Sequence, residues 1–386
     1  MYARSRLDLG WGDLLVGLFG GLMPGDADAE AAELAAGWDP QAALFLTLRT
    51  AWDALLAELA LPAGSEVLVS AVNIPDMFDL LRHHELVPVP VDLDPETLAP
   101  DLGQLAERAT DRTAMVLVAE LLGARNDLDG VFAFAEERGV PVVLDLAQGW
   151  EGPDTPRDPR ALAVLFSFGP IKTASALGGC LAWVSDDELR GRMVARARSY
   201  PLQTGYAAVA AKYLVMKTLS LPLCYRVFVV GCRLIGRSHD QVINASVLGL
   251  KGADYWAALR RRPSRALVGL LGRRLRRFTG RRLAERAAVG AELAASVPGC
   301  VLGRGAARST YWLLGVVADD PDRLVERLRL GGFDATSGSS RLLPCEHPEH
   351  TTPHAAAAMS RVVYVPAYPE LAPAARRRLA DLLAAS

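Results

Sequence analysis

The fold class predicted for this chain is α/β, with a mostly parallel sheet flanked by helices, and three observations predict it. Apolar strand-like runs alternate with helical stretches in ELVPVPVDLD, DLGQLAERAT, RTAMVLVAELLG, DLDGVFAFAEERG and VPVVLDLAQG. Two short apolar runs, Val140 to Leu144 and Ala161 to Phe168, read as buried strands that end on polar residues. The C-terminal part, STYWLLGVVA, DPDRLVERLRLGGFDAT and RVVYVPAYPEL, alternates strand and helix as a smaller α+β unit. With 386 residues and 51% hydrophobic content, two domains are expected. The division is an N-terminal arm and large domain over 1–258, and a small domain over 259–386.

Taken in order, MYARSR followed by GWGDLLVGLFGGLMPG superficially resembles a signal peptide, but Asp8 and Asp13 interrupt it. It reads as an arm with a short helix. Residues 28–38, acidic and alanine-rich, read as a surface helix. Leu48, Trp52, Leu55, Leu56 and Leu59 recur at helical spacing, and Pro62 to Ser65 separates them from a strand at Val67 to Val69. A helix starting at Thr47 to Thr50 directs unpaired N–H groups and its positive dipole end outward, which suits an anion. After Gly178 and Gly179, expected to turn the chain closely past a ligand, LAWVSD reads as a strand and DDELRGRMVARARSY as a helix. The run RRRPSRALVGLLGRRLRRF interleaves arginines with Leu267, Leu270, Leu271 and Leu275, the pattern of a packed helix with a solvated basic face.

Chemistry concentrates between Pro141 and Gly179. Asp145 ends one buried run, and the next delivers Ser167 and then Lys172. A carboxylate and an amine are costly in an apolar setting unless they are paired or used. Pyridoxal 5'-phosphate uses both: its aldehyde takes a lysine, its pyridine nitrogen an aspartate, its phosphate hydroxyl and backbone donors. D-x-A-Q at Asp145 to Gln148, followed by F-S-F-x-P-x-K from Phe166 to Lys172, resembles the DegT/DnrJ/StrS family of aminotransferases, within the aspartate aminotransferase superfamily and its pyridoxal phosphate fold type I. The resemblance implies that Lys172 is the Schiff-base lysine and Asp145 the partner of the pyridine nitrogen. By the same resemblance Ala147 lies against the ring, Gln148 near its phenolic oxygen and Ser167 on the phosphate. The family's Ser-Gly-Thr-like phosphate turn reads here Thr47-Leu48-Arg49-Thr50, with Arg49 and Thr50 as the phosphate-binding candidates.

The chain departs from the family at Ile74, where a ring-stacking aromatic is usual, at Glu120, where a histidine is common, and at Arg260 to Ser264, which lacks the asparagine of N-x-R-M-S. The implied function is amino transfer from an amino acid donor, glutamate by family pattern, to a keto sugar, cyclitol or related ketone. A lipid-linked or specialised-metabolite ketone and a non-catalytic binding protein of the same fold are the alternatives. Sugar dehydratases of the family carry histidine at the lysine position, and Lys172 argues against that chemistry.

Lys+Arg 42 against Asp+Glu 44 gives a net charge of -2, which offers no global attraction to nucleic acid or an anionic membrane. Five scattered cysteines without a CxxC pair point to a reducing compartment, and a cytoplasmic location is expected. Cys345, His347, His350 and His354 cluster with glutamates but match no structural-zinc spacing, so a polar loop and no metal is expected. Tyr206 to Gly236, broken by Pro222, is unusually apolar, with Arg226, Arg233 and Arg237 on one narrow face. Burial in a homodimer interface or under the small domain is the favoured reading; contact with a lipid-linked acceptor or a membrane interface is the other.

Overall fold

A computed structural model describes residues 1–22, 24–237, 239, 242, 254–297, 301–338 and 342–385. Seven strands form the central sheet: β1 (Ala42–Phe45), β2 (Glu66–Ser70), β3 (Val87–Val91), β4 (Thr113–Ala119), β5 (Val142–Asp145), β6 (Ala163–Ser167) and β7 (Cys180–Val184). Their spatial order is β1-β7-β6-β5-β4-β2-β3. From β6 through β3 every pairing is parallel, while β7 runs antiparallel to both its neighbours. Helices cover both faces, so residues of either parity are buried: Leu68, Val116, Leu144 and Val164 in one core, Val67, Val69, Leu117, Val143 and Leu165 in the other. That two-sided burial is why these strands read as continuous apolar runs.

The helix Leu48–Leu59 starts where its pattern begins, with the Thr47 side chain accepting from the Thr50 amide, and ends on Ala60 in the left-handed region. The smaller unit holds a three-stranded antiparallel sheet of Leu314–Val317, Val362–Val365 and Thr336–Ser337. The helices Arg281–Ala295, Pro321–Leu330 and Pro373–Ala384 close its core over Leu314, Phe333 and Leu379.

Three expectations shift. The helix Arg265–Arg276, assigned to the small domain by a boundary after 258, buries Leu267, Leu270 and Leu271 in the core of the large sheet. Its apolar face is bounded by Leu46, Phe166 and Leu181 of that core, so the division between the two cores falls after it. Its arginines are not simply a solvated face: Arg273 and Arg274 pair with Asp13 at 2.8 and 3.0 Å, and Arg274 also with Asp8 at 3.0 Å. Gly178 packs against this helix, where an added Cβ would meet Leu267 Cδ1 at 2.8 Å.

The apolar segment forms two helices, Tyr206–Leu219 and Pro222–Leu234, bent by 98°. Among the described residues no single helix is long and apolar enough to cross a membrane. Tyr225 and Val229 are buried against Ala3 of the N-terminal arm, and Phe228 packs with them. Leu223, Val227, Val230 and Leu234, spaced along one face, are exposed. The side chain of Arg233 lies outside the described residues, as does Cys300.

The arm itself is pinned to the small unit. Tyr2 stacks on Phe333 with centroids 5.4 Å apart, and Arg4 pairs at 2.7 Å with Asp334, which is fully buried. Asp334 also accepts from the Tyr225 hydroxyl at 2.7 Å and lies 3.0 Å from His239 Nε2. Burial pushes the Asp334 pKa up, but the His239 hydrogen bond, the Arg4 charge and the Tyr225 hydroxyl outweigh it and hold the carboxyl below its ordinary range. Asp334→Ala therefore is expected to cost on the order of 3–5 kcal/mol in urea denaturation at neutral pH. Because the folded pKa is depressed, the stabilisation is present above the unfolded value and is lost as pH falls through the carboxylate range. The gap between wild type and variant should narrow in acid; a constant gap would refute this account.

Candidate active site

The site forms at the carboxyl ends of β4, β5 and β6, where an open parallel sheet presents polar groups to a crevice. Asp145, last residue of β5, is 4% exposed. Its Oδ2 accepts from Asn73 Nδ2 at 3.0 Å and its Oδ1 from the Ala147 amide at 2.9 Å. Burial raises the Asp145 pKa, opposed by those two hydrogen bonds and by the charge of Lys172. Lys172 follows β6 by a tight loop whose amide closes onto Gly169 O at 3.0 Å. Desolvation lowers the Lys172 pKa most, Asp145 pulls it back and Arg49 lowers it again, leaving it at about 8. The carboxylate and the amine that the sequence sets 27 positions apart thus lie within each other's field.

The remaining expected residues divide. Gln148 is buried, and its Oε1 accepts from the Leu122 amide at 2.6 Å. Ala147 and Ser167 are half-buried beside Asp145 and at the end of β6. Arg49 acts on Lys172 through its charge, while its Nη1 donates to Asp76 at 3.0 Å. Thr50 differs from the expectation. Fully buried, it spends its amide on Thr47 Oγ1 and its hydroxyl on Leu259 O at 2.9 Å. The amide is consumed in starting the helix and the hydroxyl in reaching Leu259, so the donors left without an intrahelical partner there are the earlier amides of Leu48 and Arg49.

Glu120, at the position of the family's histidine, is buried and pairs with Arg125 at 2.8 Å while accepting from the Asn126 amide at 3.0 Å. Burial nevertheless raises its pKa. Ile74 caps the helix Pro75–His83 and packs as an aliphatic side chain. Arg260 pairs with the buried Asp53 at 2.9 Å, and Arg262 with Asp28, so both serve the scaffold. In the C-terminal loop Cys345 is buried and the His347 and His350 rings stack at 4.7 Å. Among the described residues no group of three or more such side chains converges on a metal position.

Sequence reasoning missed two contributors. Asn73 orients the carboxylate; its signal was an amide side chain at the end of an apolar run, SAVN, two positions before Pro75. Trp312 lies over Lys172, with Nζ 4.3 Å from the ring centroid, and its Nε1 donates to Ile171 O at 2.9 Å. The turn that carries Trp312 needs Gly123, at φ +87, where a Cβ would come 2.4 Å from Thr310 Oγ1 and 2.7 Å from the Trp312 amide. The neighbouring Tyr311 is itself left-handed at φ 44, and so are Ala174 and Leu177 in the loop after Lys172. Backbone strain of this kind collects where side chains must be held in place.

A buried carboxylate with a raised pKa gains from a cationic partner, and a desolvated lysine near neutrality is ready to bond a carbonyl, so these residues fit the pyridine nitrogen and aldehyde of pyridoxal phosphate.

Residues 42–206 match the DegT/DnrJ/EryC1/StrS aminotransferase family. An L-glutamine:2-deoxy-scyllo-inosose aminotransferase of Micromonospora echinospora is 37% identical over 86 residues, 22% of this chain and 20% of that protein. A putative L-glutamine:3-amino-2,3-dideoxy-scyllo-inosose aminotransferase of Streptomyces kanamyceticus is 28% identical over 163 residues, 41% of this chain and 38% of that protein. The chain thus spans well under half the length of these curated relatives. A sugar aminotransferase structure from Micromonospora echinospora superposes with a TM-score of 0.69 at 20% identity, covering 100% of both chains. An E coli GDP-4-keto-6-deoxy-D-mannose-3-dehydratase with bound hydrated PLP superposes with a TM-score of 0.71 at 16% identity, covering 99% of both. The fold is therefore that of the type I pyridoxal phosphate enzymes, and the stretch from the first sheet strand through the lysine loop to residue 206 is similar to the DegT/DnrJ/EryC1/StrS aminotransferase family.

Proposed function

We propose that this chain is a pyridoxal phosphate-dependent aminotransferase. It moves an amino group from an amino acid donor, glutamate by family pattern, to a keto sugar, cyclitol or related ketone. The observation that carries the reading is that Asp145 and Lys172 lie within each other's field in a desolvated site, inside the stretch that matches the family. Pyridoxal phosphate, when bound, supplies the carbonyl and the electron sink that amino transfer needs. Lys172 Nζ holds it and afterwards moves a proton at the substrate carbon, a task suited to an amine with a pKa of about 8. Asp145 keeps a proton on the ring nitrogen, and Asn73 and the Ala147 amide fix that carboxylate. Ala147 lines the ring face, Gln148 the phenolic side, and Ser167, Arg49 and the first-turn amides after Thr47 hold the phosphate.

The active form in this proposal is a homodimer in which a second copy covers the exposed stripe of Leu223, Val227, Val230 and Leu234. A second stripe, Trp11, Leu15, Phe19 and Leu22, is exposed on the N-terminal helix. Both stripes belong to helices packed on Tyr206–Leu219, and apolar stripes left in water in this way mark interaction surfaces.

Borohydride treatment of the loaded enzyme should fix the cofactor to the peptide bearing Lys172, and Lys172→Ala should fold normally but lose both this adduct and transamination. Full turnover by that variant would defeat the assignment. In the cofactor-free chain, modification of Lys172 by a small amine-directed reagent should rise with a midpoint near pH 8, because burial favours the neutral amine; a midpoint near the ordinary 10.5 would show that the lysine is solvated. Asp145→Asn should retain the cofactor and lose about a hundredfold or more in rate, about 2.7 kcal/mol of transition-state stabilisation. An unchanged rate would make the carboxylate purely structural. Val227→Asp should convert dimer to monomer in sedimentation, whereas an intact dimer with lost vesicle co-flotation would assign the stripe to a lipid surface.

A further inference from the structure

The N-terminal helix Trp11–Phe19 and the turn after it, Gly20–Leu22, carry an apolar face that the large domain leaves uncovered. Their inner face is committed. Leu14 is buried, and Gly17 meets the helices Tyr206–Leu219 and Arg265–Arg276 so closely that an added Cβ would lie 3.2 Å from Ala210 Cβ and 3.5 Å from Leu270 Cδ2. Gly20 lies as close to Ala266. Wedged between two other helices, the segment cannot roll to hide its outer side. There Trp11, Leu15, Phe19 and Leu22 recur at i, i+4, i+8 and i+11 and are 47 to 80% exposed.

Cations border this stripe on both sides. Lys217, from Tyr206–Leu219, holds Nζ 5.3 Å from the Trp11 ring centroid. On the opposite flank, beside Val16, Arg273, Arg276 and Arg277 line one depression. Arg273 is paired with Asp13, but Arg276 and Arg277 are exposed and have no carboxylate within 4 Å among the described residues. The carboxylates of residues 8–30 are spent within the chain: Asp8 and Asp13 on Arg274, Asp28 on Arg262 and Glu30 on Arg265, while Asp26 caps the next helix. Glu370, whose charge reaches Lys217, is paired with Arg282. The net charge of -2 thus hides a local basic rim around an apolar stripe. A second copy suits this rim poorly, because a two-fold contact centred on the helix would set its cations against their own images. An anionic bilayer suits it well: a tryptophan sits readily at headgroup level, and lysine and arginine stems lie along apolar surface while their charged ends reach phosphates.

We propose that the Trp11–Leu22 segment is a membrane-docking surface, its apolar stripe set into the interface of an anionic bilayer, with Lys217, Arg276 and Arg277 on the headgroup phosphates. The attachment is peripheral: a helix of 9 residues is too short to cross and lies in the plane of the interface. It depends neither on the aminotransferase reading nor on the Leu223 stripe assigned to a second copy.

The test is co-flotation of the full chain with vesicles of phosphatidylcholine, and of phosphatidylcholine containing about a third phosphatidylglycerol. Wild type should bind the anionic vesicles at least about tenfold better than the neutral ones, and added salt should release it. Arg276→Gln and Arg277→Gln should each weaken anionic binding about fivefold. Phe19→Asp should abolish co-flotation while leaving sedimentation and cofactor uptake as in the wild type. Should that variant misfold, Leu15→Gln serves in its place, with binding weakened about tenfold and uptake retained. Failure of the wild type to float with anionic vesicles would overturn the proposal, as would binding to both vesicles that neither the arginine nor the Leu15 variant moves. Conversion of dimer to monomer by Phe19→Asp would overturn it as well, giving the stripe to a second copy. Retention on polyglutamate as strong as on anionic vesicles and indifferent to Leu15 and Phe19 would replace the bilayer by an acidic protein.

Discussion

A carboxylate and an amine share one desolvated crevice, and the surrounding scaffold is built so that both can stay there. Asp145 ends a strand buried on both faces, where an isolated charge would be costly; two donors and the field of Lys172 offset the cost. Lys172 in turn is drawn toward neutrality by the same burial. The pair is therefore poised rather than locked: no direct salt bridge joins them among the described contacts, and each remains available to a third group between them. A close ion pair would have been simpler to accommodate but would have used up both functions.

The lysine loop holds its shape through the N-terminal arm. Asp8 Oδ2 accepts from the Ala174 amide at 2.7 Å, just where the loop enters the left-handed region, and Asp8 also pairs with Arg274 and Arg282. Further along, Asp13 anchors Arg273 and Arg274 from the helix that fills the large core. At its other end the arm reaches the small unit through Tyr2 and Arg4. One short segment thus ties the reactive loop, the large core and the small unit together. It also contributes arginines to a cavity beside Lys172. Loosening the arm would be felt in the position of the lysine before it was felt in the sheet.

Two of the departures from the family pattern, Ile74 and Glu120, stand next to Asn73 and just past the end of β4. A buried Glu120 tied to Arg125 is a different wall from a titratable imidazole, and Ile74 offers no aromatic face to a ring. The groups on which the cofactor reading depends, Asp145, Gln148, Ser167 and Lys172, are intact. Under the proposed function, this division keeps the class of chemistry while altering what surrounds the acceptor.

By itself, the sequence determined the alternation of strands and helices, and with it the parallel sheet, because strands buried on two faces must be apolar throughout and so announce themselves locally. It also determined the order of Asp145, Gln148, Ser167 and Lys172, since those residues follow strands whose ends must meet at one edge of the sheet. What only the tertiary structure decided were relations between distant segments. Whether Thr50 faces an anion or is spent on Leu259 O depends on a contact 209 residues away. The arginines of 265–276 read as a basic surface until the arm, more than 250 residues earlier, brought carboxylates to them. Asn73 and Trp312 were equally silent, because the reach of a polar side chain across a fold leaves no periodicity in the chain. Helical and strand patterns record which face is dry; they do not record which buried donor finds which acceptor, and that pairing is what made this crevice a site.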